Sequence, residues 1–432
     1  MAFNAVSVAL KKLAENYSFL DVEIARIERT SICELDVVES TLKYEDFFKQ
    51  YLLVNKPCKL TPDATRDWEI LRWVDDQGKP DLEYIRQMFG GAVAPVANCS
   101  IKSYNAQLKS DMTVADFVVY WDKVARSGYD YFENPCLYLK DWHLMKDFPE
   151  YHIYDPPAFF ASDWLNEFWL KRRDVNDDYR FLYMGPKGSW TPFHADVYGS
   201  FSWSANVCGR KLWHLLEPGS EAHVRDTLGN LPYDITSSAL HDSSHYPNVY
   251  KVRNDDGSFG ISVLQEPGEV IFVPTGWHHQ VYNLEDTISI NHNWFNGCNI
   301  HLIWRNLWQA HREVQQEISE LRSFGGWRQQ CEILLRAHHG LNLSEFCSLL
   351  ETIAEKRLQL LQSKDAESEN VPTQSQWHVL FDLVKIVLVL KEMLADSEGT
   401  SGAVEFSREL LGNIISAVNS HSPRELLWLS GR

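Results

Sequence analysis

The sequence predicts a mainly β core, of the antiparallel sandwich or jelly-roll barrel type, with helical segments before and after it. Between residues 180 and 294, short runs of strand-forming residues alternate with turns that contain Gly or Pro, a pattern typical of such folds. On both sides of this stretch, apolar residues recur at helical spacing instead. The chain also has 16 tryptophans, and large aromatic side chains suit a β core.

The part before the predicted β core is expected to be mostly helical. Residues 1–30 have the pattern of an amphipathic helix followed by a charged segment, and Thr113 is a candidate N-cap with Asp116 three residues later. The predicted helices are 44–54, 68–73, 82–88 and 113–125, and short strands are predicted at Cys58, 93–99 and 136–139.

Seven short strands are predicted within the β core itself. They are 180–184, 191–197, 201–207, 211–216, 270–273, 279–283 and 287–294. Residues 219–262 lie between them and are rich in Asp, Ser, His, Asn and Gly. A stretch of that length without regular structure usually lines a site or is mobile.

From about residue 300 the pattern is helical, with predicted helices at 303–322, 344–362, 377–395 and 404–418. The apolar run 379–394 is expected to be buried against the β core, and a homodimer interface is the alternative. These patterns predict an N-terminal helical segment (1–43), a core domain (44–300) and a C-terminal helical domain (301–432).

Composition excludes several functional classes. The 432 residues carry a formal net charge of −18, which argues against non-specific binding to nucleic acid. The eight cysteines are scattered, so we expect free thiols in an intracellular protein and neither a zinc ribbon nor a disulfide scaffold. The first 30 residues lack a signal-peptide block, and the apolar run 383–390 is too short to span a bilayer. We therefore expect a cytoplasmic protein without membrane contact.

His194 and Asp196 are the strongest candidates for chemistry. Side chains two residues apart in a strand point to the same face, so this imidazole and carboxylate can converge on one point. A second histidine from the Gly-Trp-His-His run at 276–279 would complete the two-His, one-carboxylate set that suits iron(II). A single His-x-Asp triplet also occurs by chance, and the alternative is a hydrogen-bonded pair in a loop.

The context of this pair is specific. Thr191 precedes it, Gly199, Trp203 and the run 209–211 follow, and then come 213–218, 267–274, 276–279 and 283–294. In this order the set resembles the JmjC family of iron(II)- and 2-oxoglutarate-dependent oxygenases, over roughly residues 44–300. The resemblance implies a double-stranded β-helix (jelly-roll or cupin) core and, as cofactor and cosubstrates, Fe(II), 2-oxoglutarate and O2.

The same resemblance implies that His194, Asp196 and His279 are the metal ligands. Adjacent residues of a strand face opposite ways, so only one of His278 and His279 can bind. The family pattern places the ligand three residues after Gly276, which is His279. His278 would then support a metal ligand or pack against its neighbours. The three open metal positions would take 2-oxoglutarate and dioxygen.

A basic side chain is needed for the far carboxylate of 2-oxoglutarate, and Lys211 stands at the family's lysine position. The alternative is a lysine that is salt-bridged at the barrel rim. Asn291 and Asn293 alternate with isoleucines along one strand, which predicts a polar face in the pocket or, equally, toward solvent. Ser204 stands where relatives often carry Asn. The predicted cosubstrate-binding residues are Lys211, Thr191, Tyr138, Asn291 and Asn293.

The resemblance is closest to the small JmjC-only protein hydroxylases, and within them to those that hydroxylate a lysine of the eukaryotic peptide-chain release factor. The runs 96–99, 136–143, 162–169 and 287–294 carry this similarity. It implies a protein substrate and a role in translation termination. Acidic or aromatic groups would favour a lysine at the mouth of the site. The candidates are Asp141, Trp142, Asp163, Trp164 and Glu167.

Three other functions fit parts of the pattern. A histone or other N-methyl-lysine demethylase shares the iron chemistry, although this chain has no Cys-rich reader finger. A non-catalytic cupin-like binding protein is opposed by the intact triad and Lys211. A zinc hydrolase would need a general base beside the metal, and none is indicated.

Overall fold

A computed structural model describes residues 35–172, 178–323, 325–362 and 372–396, together with residues 410, 413 and 414. The helix predicted within residues 1–30 and most of the helix predicted at 404–418 lie outside the described residues.

Thirteen strands in the described part of the chain form two sheets that enclose the β core. In chain order they are β1 (Asp36–Val38), β2 (Cys58–Leu60), β3 (Val93–Ser103), β4 (Ala106–Thr113), β5 (Leu137–Trp142), β6 (Arg180–Gly185), β7 (Trp190–His194), β8 (Phe201–Cys208), β9 (Lys211–Leu216), β10 (Ile261–Gln265), β11 (Val270–Val273), β12 (His278–Asn283) and β13 (Thr287–Trp294).

The larger sheet has the order β1-β2-β11-β8-β13-β6-β5-β3-β4, and the smaller sheet has the order β10-β9-β12-β7. All neighbours are antiparallel except the β1–β2 pair. This is the double-stranded β-helix arrangement of a jelly roll, so the predicted fold class is confirmed. Each of the seven predicted core strands is present.

Three strands were missed: β1, which lies in the segment 1–43 that was predicted to be helical, β4 and β10. β4 lies at the exposed edge of the larger sheet and is polar along most of its length, so it lacks the apolar alternation that marks a half-buried strand. β10 begins at the end of the stretch 219–262, which was predicted to be irregular, continues beyond it to Gln265 and pairs with β9. The regular structure in the remainder of that stretch consists of short helical turns and one isolated β-bridge between Arg253 and Phe259.

Side chains alternate along the strands of the larger sheet between its two faces. One face packs into a hydrophobic cluster, and the other is polar and faces the space between the two sheets. On β8, Phe201, Trp203 and Ala205 join the large hydrophobic cluster behind the larger sheet. The intervening Ser202 and Ser204 therefore face the other side, which is the interior between the sheets. β13 follows the same rule, with isoleucines in the cluster and Ser289, Asn291 and Asn293 facing inward.

Helices cover the outer face of the larger sheet and form the C-terminal part. They are α1 (Tyr44–Phe47, continued by a π-helical turn, Phe48–Leu52), α2 (Leu82–Phe89), α3 (Val114–Arg126), α4 (Leu144–Asp147), α5 (Trp164–Lys171), α6 (Ile300–Glu317), α7 (Trp327–His339), α8 (Leu343–Gln362) and α9 (Gln376–Asp396). As predicted, the Thr113 side chain caps α3 by accepting from the Asp116 N–H. None of the helices in the described part is both long and apolar enough to cross a lipid bilayer.

The apolar run on α9 is covered by the same chain. Leu383, Ile386 and Leu390 are buried in a cluster that also contains residues of α5, α6 and α8. This agrees with the expectation that the run is buried, although much of its cover comes from helices rather than from the β core. The homodimer stays a prediction.

Candidate metal centre and cosubstrate pocket

His194 and His279 are brought together by the pairing of β7 with β12. They are direct cross-strand partners, and their ring centroids lie 4.3 Å apart. Directly opposite residues of an antiparallel pair share one face of the sheet. Both imidazoles therefore reach the interior between the two sheets.

Asp196 completes a three-residue cluster, but not in the way the sequence suggested. β7 ends at His194, so Asp196 lies in the extended segment after the strand rather than within it. Its Oδ2 accepts a 2.6 Å hydrogen bond from Ser202 and its Oδ1 a 2.8 Å hydrogen bond from Asn293. One ligand atom from each of His194, Asp196 and His279 lies within 4.8 Å of the others, which is close enough to share one ion.

The backbone sets the tautomer of both histidines. Nδ1 of His194 lies 2.8 Å from the carbonyl oxygen of Pro192, and Nδ1 of His279 lies 3.2 Å from that of Trp277. A carbonyl oxygen only accepts, so each Nδ1 carries the proton and each Nε2 offers its lone pair. Burial, and to a lesser extent the neighbouring His279, lowers the pKa of His194 to about 4. His194 is therefore neutral near pH 7, which is the form that binds a metal.

His278 faces the other way, as expected for the neighbour of an inward-facing strand residue. Its ring lies against Phe193, with centroids 5.4 Å apart, and Phe193 belongs to a separate apolar cluster outside the smaller sheet. The structure thus places His279 at the cluster and His278 away from it.

An irregularity in β7 explains how Thr191 and His194 reach the same side. Three residues apart on a regular strand, they would face opposite ways. Here Thr191 pairs with Val281 while His194 pairs with His279, and the register shifts between the two pairs. The extra residue returns Thr191 to the inner face. Its use in holding a cosubstrate stays a prediction.

Lys211 is a buried ammonium group on the inner face of β9. It is 2% exposed and donates to the Ser289 hydroxyl at 2.9 Å and to the Tyr138 hydroxyl at 3.3 Å. Among the residues that the structure describes, no carboxylate pairs with it. Burial lowers the pKa of Lys211 to about 7, because a buried charge without a counter-charge is costly.

This environment fits the far carboxylate of a 2-oxo diacid. A dicarboxylate would supply the missing negative charge to Lys211, with Tyr138 beside it. On the inner face of β8, the buried Ser204 hydroxyl has no hydrogen-bond partner within the described part of the chain, and Ser204 is the cross-strand partner of Asn291. The donor set of the cluster and this lysine without a counter-charge in the described residues together fit Fe(II) and 2-oxoglutarate.

The two predicted asparagines have different surroundings. Asn291 lies 3.3 Å from the Ser289 hydroxyl, beside the Lys211 pocket. Asn293 instead donates to Asp196 and to the Ser200 hydroxyl. Its amide N–H groups thus orient the Asp196 carboxylate, and its use as a cosubstrate ligand stays a prediction.

Asp141 lies at a distortion of β5 near the site. The register between β5 and β6 shifts between Leu139 and Trp142, and Asp141 has a positive φ of 62°. Its carboxylate accepts from the Tyr183 hydroxyl and from Lys109. Tyr183 is the cross-strand partner of the inward-facing Ser289, so its hydroxyl holds the Asp141 carboxylate toward the interior between the sheets.

The other four predicted substrate residues have structural partners. Trp142 and Trp164 are 1% and 0% exposed, so their prediction as mouth residues is wrong. Asp163 caps α5 through the Asn166 N–H. Glu167 pairs with Lys356 and Arg357 of α8. Sequence alone does not distinguish an aromatic residue in the core from one at a mouth.

Several neighbours of the site were missed. Ser202 and Ser289 could have been found from the same inward alternation that singled out the asparagines. Tyr183 and Lys140 had no such signal. Lys140 is 7% exposed, donates to Gln107 at 3.1 Å and is close enough to influence the pKa of His194.

Comparisons with known proteins agree with this geometry. A family model described as "JmjC domain, hydroxylase" matches residues 181–294, which include the three clustered residues and Lys211. The chain is 45% identical over 374 residues to the 2-oxoglutarate and iron-dependent oxygenase JMJD4 of Gallus gallus, covering 84% of this chain and 86% of the chicken protein.

Two further relatives extend the comparison. Identity to JMJD4 of Homo sapiens is 45% over 383 residues, covering 87% of this chain and 89% of the human protein. Identity to the protein named arginine-specific demethylase JMJ20 of Arabidopsis thaliana is 37% over 373 residues, covering 82% of this chain and 78% of the plant protein.

Proposed function

This chain belongs to the JMJD4 family of JmjC-domain, 2-oxoglutarate and iron-dependent oxygenases, and we propose that it hydroxylates a carbon of a lysine side chain in a protein. The proposed substrate is the eukaryotic peptide-chain release factor, through which the enzyme would affect translation termination. The chain is thus a dioxygenase, and its particular substrate is the proposal.

One observation carries the assignment of residues. His194, Asp196 and His279 present three ligand atoms within 4.8 Å of one another, and the buried Lys211, which pairs with no carboxylate of the described residues, lies in the same interior. We propose that the first three hold Fe(II) and that Lys211, Tyr138, Thr191 and Asn291 hold 2-oxoglutarate. When bound, the iron, the oxo acid and O2 supply the oxidising chemistry; the side chains bind, orient and exclude water.

Asp141 supports a lysine as the target. Its carboxylate is paired with Lys109, and the interacting side chains are 29% and 46% exposed, respectively. Burial would raise the pKa of Asp141, but Lys109, Lys140 and the Tyr183 hydroxyl outweigh it and hold that pKa below its usual value. An ionised carboxylate that already binds one ammonium can bind that of a substrate lysine in its place.

The release factor is proposed from sequence similarity. The runs 96–99, 136–143, 162–169 and 287–294 resemble the release-factor lysyl hydroxylases. Three of these runs lie on the strands β3, β5 and β13 that border the site. The cytoplasmic location predicted from the sequence goes with this proposal, since that is where translation is terminated.

The test is incubation of the purified full chain with the release factor, Fe(II), 2-oxoglutarate and O2. We expect a stable gain of one oxygen on one lysine, with stoichiometric succinate. Asp141→Asn should raise the KM for the protein substrate, whereas Asp155→Asn, which alters an 83% exposed carboxylate, should not. Succinate formation without modification of the release factor would leave the oxygenase intact and reject this substrate.

A second candidate is N-methyl demethylation by the same chemistry. It is favoured by the Arabidopsis relative named as an arginine-specific demethylase. Hydroxylation of an N-methyl group would end in loss of that methyl as formaldehyde rather than in a retained oxygen. Assays with methylated lysine and methylated arginine peptides, read out by mass and by formaldehyde, separate the two.

A further inference from the structure

Cys99 and Cys136 are far apart in the sequence but adjacent in space. Asn98 of β3 pairs with Leu137 of β5, so the next pair in the same register is Cys99 with Cys136. The backbone N–H of Cys99 donates to the carbonyl of Cys136 at 2.8 Å. Cross-strand partners have Cα atoms about 4.5–5.5 Å apart, which lies within the roughly 4.4–6.8 Å that a disulfide requires.

The two thiols also interact directly and share access to a cleft. Each thiol lies close enough to the other to influence its pKa, and both residues line a cleft of about 940 Å³ that also contains Lys102, Trp190 and Tyr233. Cys99 and Cys136 are only 6% and 1% exposed. A small oxidant in the cleft could therefore reach them where a protein partner could not.

The surroundings make the two sulfurs unequal. Burial alone would raise the pKa of Cys99, but the Cys136 thiol and the Lys140 ammonium favour its thiolate, and its pKa lies below the usual value. Burial raises the pKa of Cys136. Cys99 is also the more exposed of the two, at 6% against 1%. Since the thiolate is the form that attacks an oxidant, we assign Cys99 as the nucleophile of the pair and Cys136 as the resolving thiol.

We propose that Cys99 and Cys136 form a peroxide-sensitive dithiol site that closes to a disulfide. The Cys99 thiolate attacks hydrogen peroxide, an S–O bond forms as the O–O bond breaks, and hydroxide leaves. The Cys136 sulfur then attacks the sulfenic sulfur, the S–S bond forms, and water leaves with the thiol proton. Two cysteine sulfurs are oxidised and one peroxide is reduced to water.

The site adjoins the cosubstrate pocket without being part of it. Tyr138, two residues after Cys136, is hydrogen-bonded to Lys211, and the Cys99 thiol lies 3.6 Å from the carbonyl of Trp190 at the start of β7. The proposal does not depend on the substrate of the enzyme, because it concerns only these two thiols and peroxide.

Peptide mapping of the wild-type full chain tests this. Trypsin would release peptides 87–102 and 127–140, each with one cysteine, so a link between them identifies the pair. After hydrogen peroxide treatment with a chelator present, followed by alkylation, we expect these peptides joined with loss of two hydrogen atoms, and separated again by a reductant. Both peptides recovered unlinked and alkylated, or linked to other cysteines, would overturn the proposal.

Variants assign the roles of the two sulfurs. Cys136→Ser should accumulate a sulfenic acid on peptide 87–102 that dimedone traps, whereas Cys99→Ser should give no trapped product on peptide 127–140. Cys208→Ser is the matched control, because Cys208 is an equally buried thiol whose burial raises its pKa to about 12. It should leave the linkage unchanged. Equal trapping on both peptides would contradict the assigned nucleophile.

Discussion

Asn293 donates a 2.8 Å hydrogen bond to Oδ1 of Asp196, and this contact joins the two sheets at the candidate metal centre. Asn293 lies on β13 of the larger sheet, whereas Asp196 follows β7 of the smaller one. The carboxylate is thereby oriented from the opposite sheet, with Ser202 on its other oxygen.

Asn293→Ala should weaken Fe(II) binding by about 10- to 100-fold, the usual cost of losing a side chain that orients a metal ligand. Asn254→Ala removes an exposed amide that only closes its own turn and should leave the Kd for Fe(II) unchanged. Anaerobic metal titration measures both. Equal affinity in the two variants would show that Ser202 alone suffices to orient Asp196.

Lys211 should make 2-oxoglutarate binding pH-dependent. The diacid needs the ammonium form, but the pKa of Lys211 in the free protein lies near 7, so above that pH binding requires uptake of a proton. The apparent Kd should rise by up to about tenfold per pH unit between pH 7 and 9. Direct binding measurements across this range check it, and a flat profile would mean that the ammonium persists in the free protein.

Lys211→Met should raise the KM for 2-oxoglutarate by about 10- to 100-fold, the cost of losing hydrogen bonds to a charged group, and should also abolish that pH dependence. Lys251→Met, at an exposed position, is the control with the same side-chain change. Succinate formation at varied 2-oxoglutarate concentrations gives the KM of each variant. Similar KM values for the two variants would contradict the pocket assignment.

Local sequence predicted some residues of the candidate site but not those whose place depends on strand pairing. His194, His279 and Lys211 were predicted because they stand in runs of sequence that resemble the JmjC family, and the structure places all three in the same interior. Asp196 was found by a strand argument that proved too simple, since β7 ends before it. Tyr183, Lys140 and the Cys99–Cys136 pair were missed because their positions near the site depend on which strands become neighbours. The local periodicity of a sequence does not determine which strands pair.

The helical part is anchored by a buried ion pair. Arg357 of α8 donates from Nε to Asp382 of α9 at 2.6 Å, and the two side chains are 3% and 0% exposed. Arg357→Met should lower the free energy of unfolding by about 3–5 kcal/mol, because it leaves a buried carboxylate unpaired.

Arg305→Met is the matched control, since it removes an ion pair with Glu392 whose side chains are 59% and 35% exposed. It should cost less than about 1 kcal/mol. Urea unfolding measures both variants. Equal losses would mean that Arg357 contributes no more than a surface charge does.

Gly209 forms the turn that leads into Lys211, with a φ of +72°. A Cβ there would lie 2.2 Å from the carbonyl oxygen of Asp286, so Gly209→Ala adds a clash to the cost of a left-handed residue. We expect a loss of more than about 3 kcal/mol. Gly229 has a similar φ of +85°, but no atom of the described residues lies within 4 Å of an added Cβ, so Gly229→Ala should cost about 1–2 kcal/mol. Thermal unfolding of both variants tests whether the clash matters.

The most direct test of a shared metal compares two adjacent histidines. Anaerobic Fe(II) titration compares the wild type, His278→Ala and His279→Ala. The wild type and His278→Ala should each bind one ion per chain with similar affinity. His279→Ala should bind at least about 100-fold more weakly, beyond the effect of losing a supporting residue. Retention of tight binding by His279→Ala, or its loss in His278→Ala alone, would contradict the assignment of His194, Asp196 and His279 to one iron.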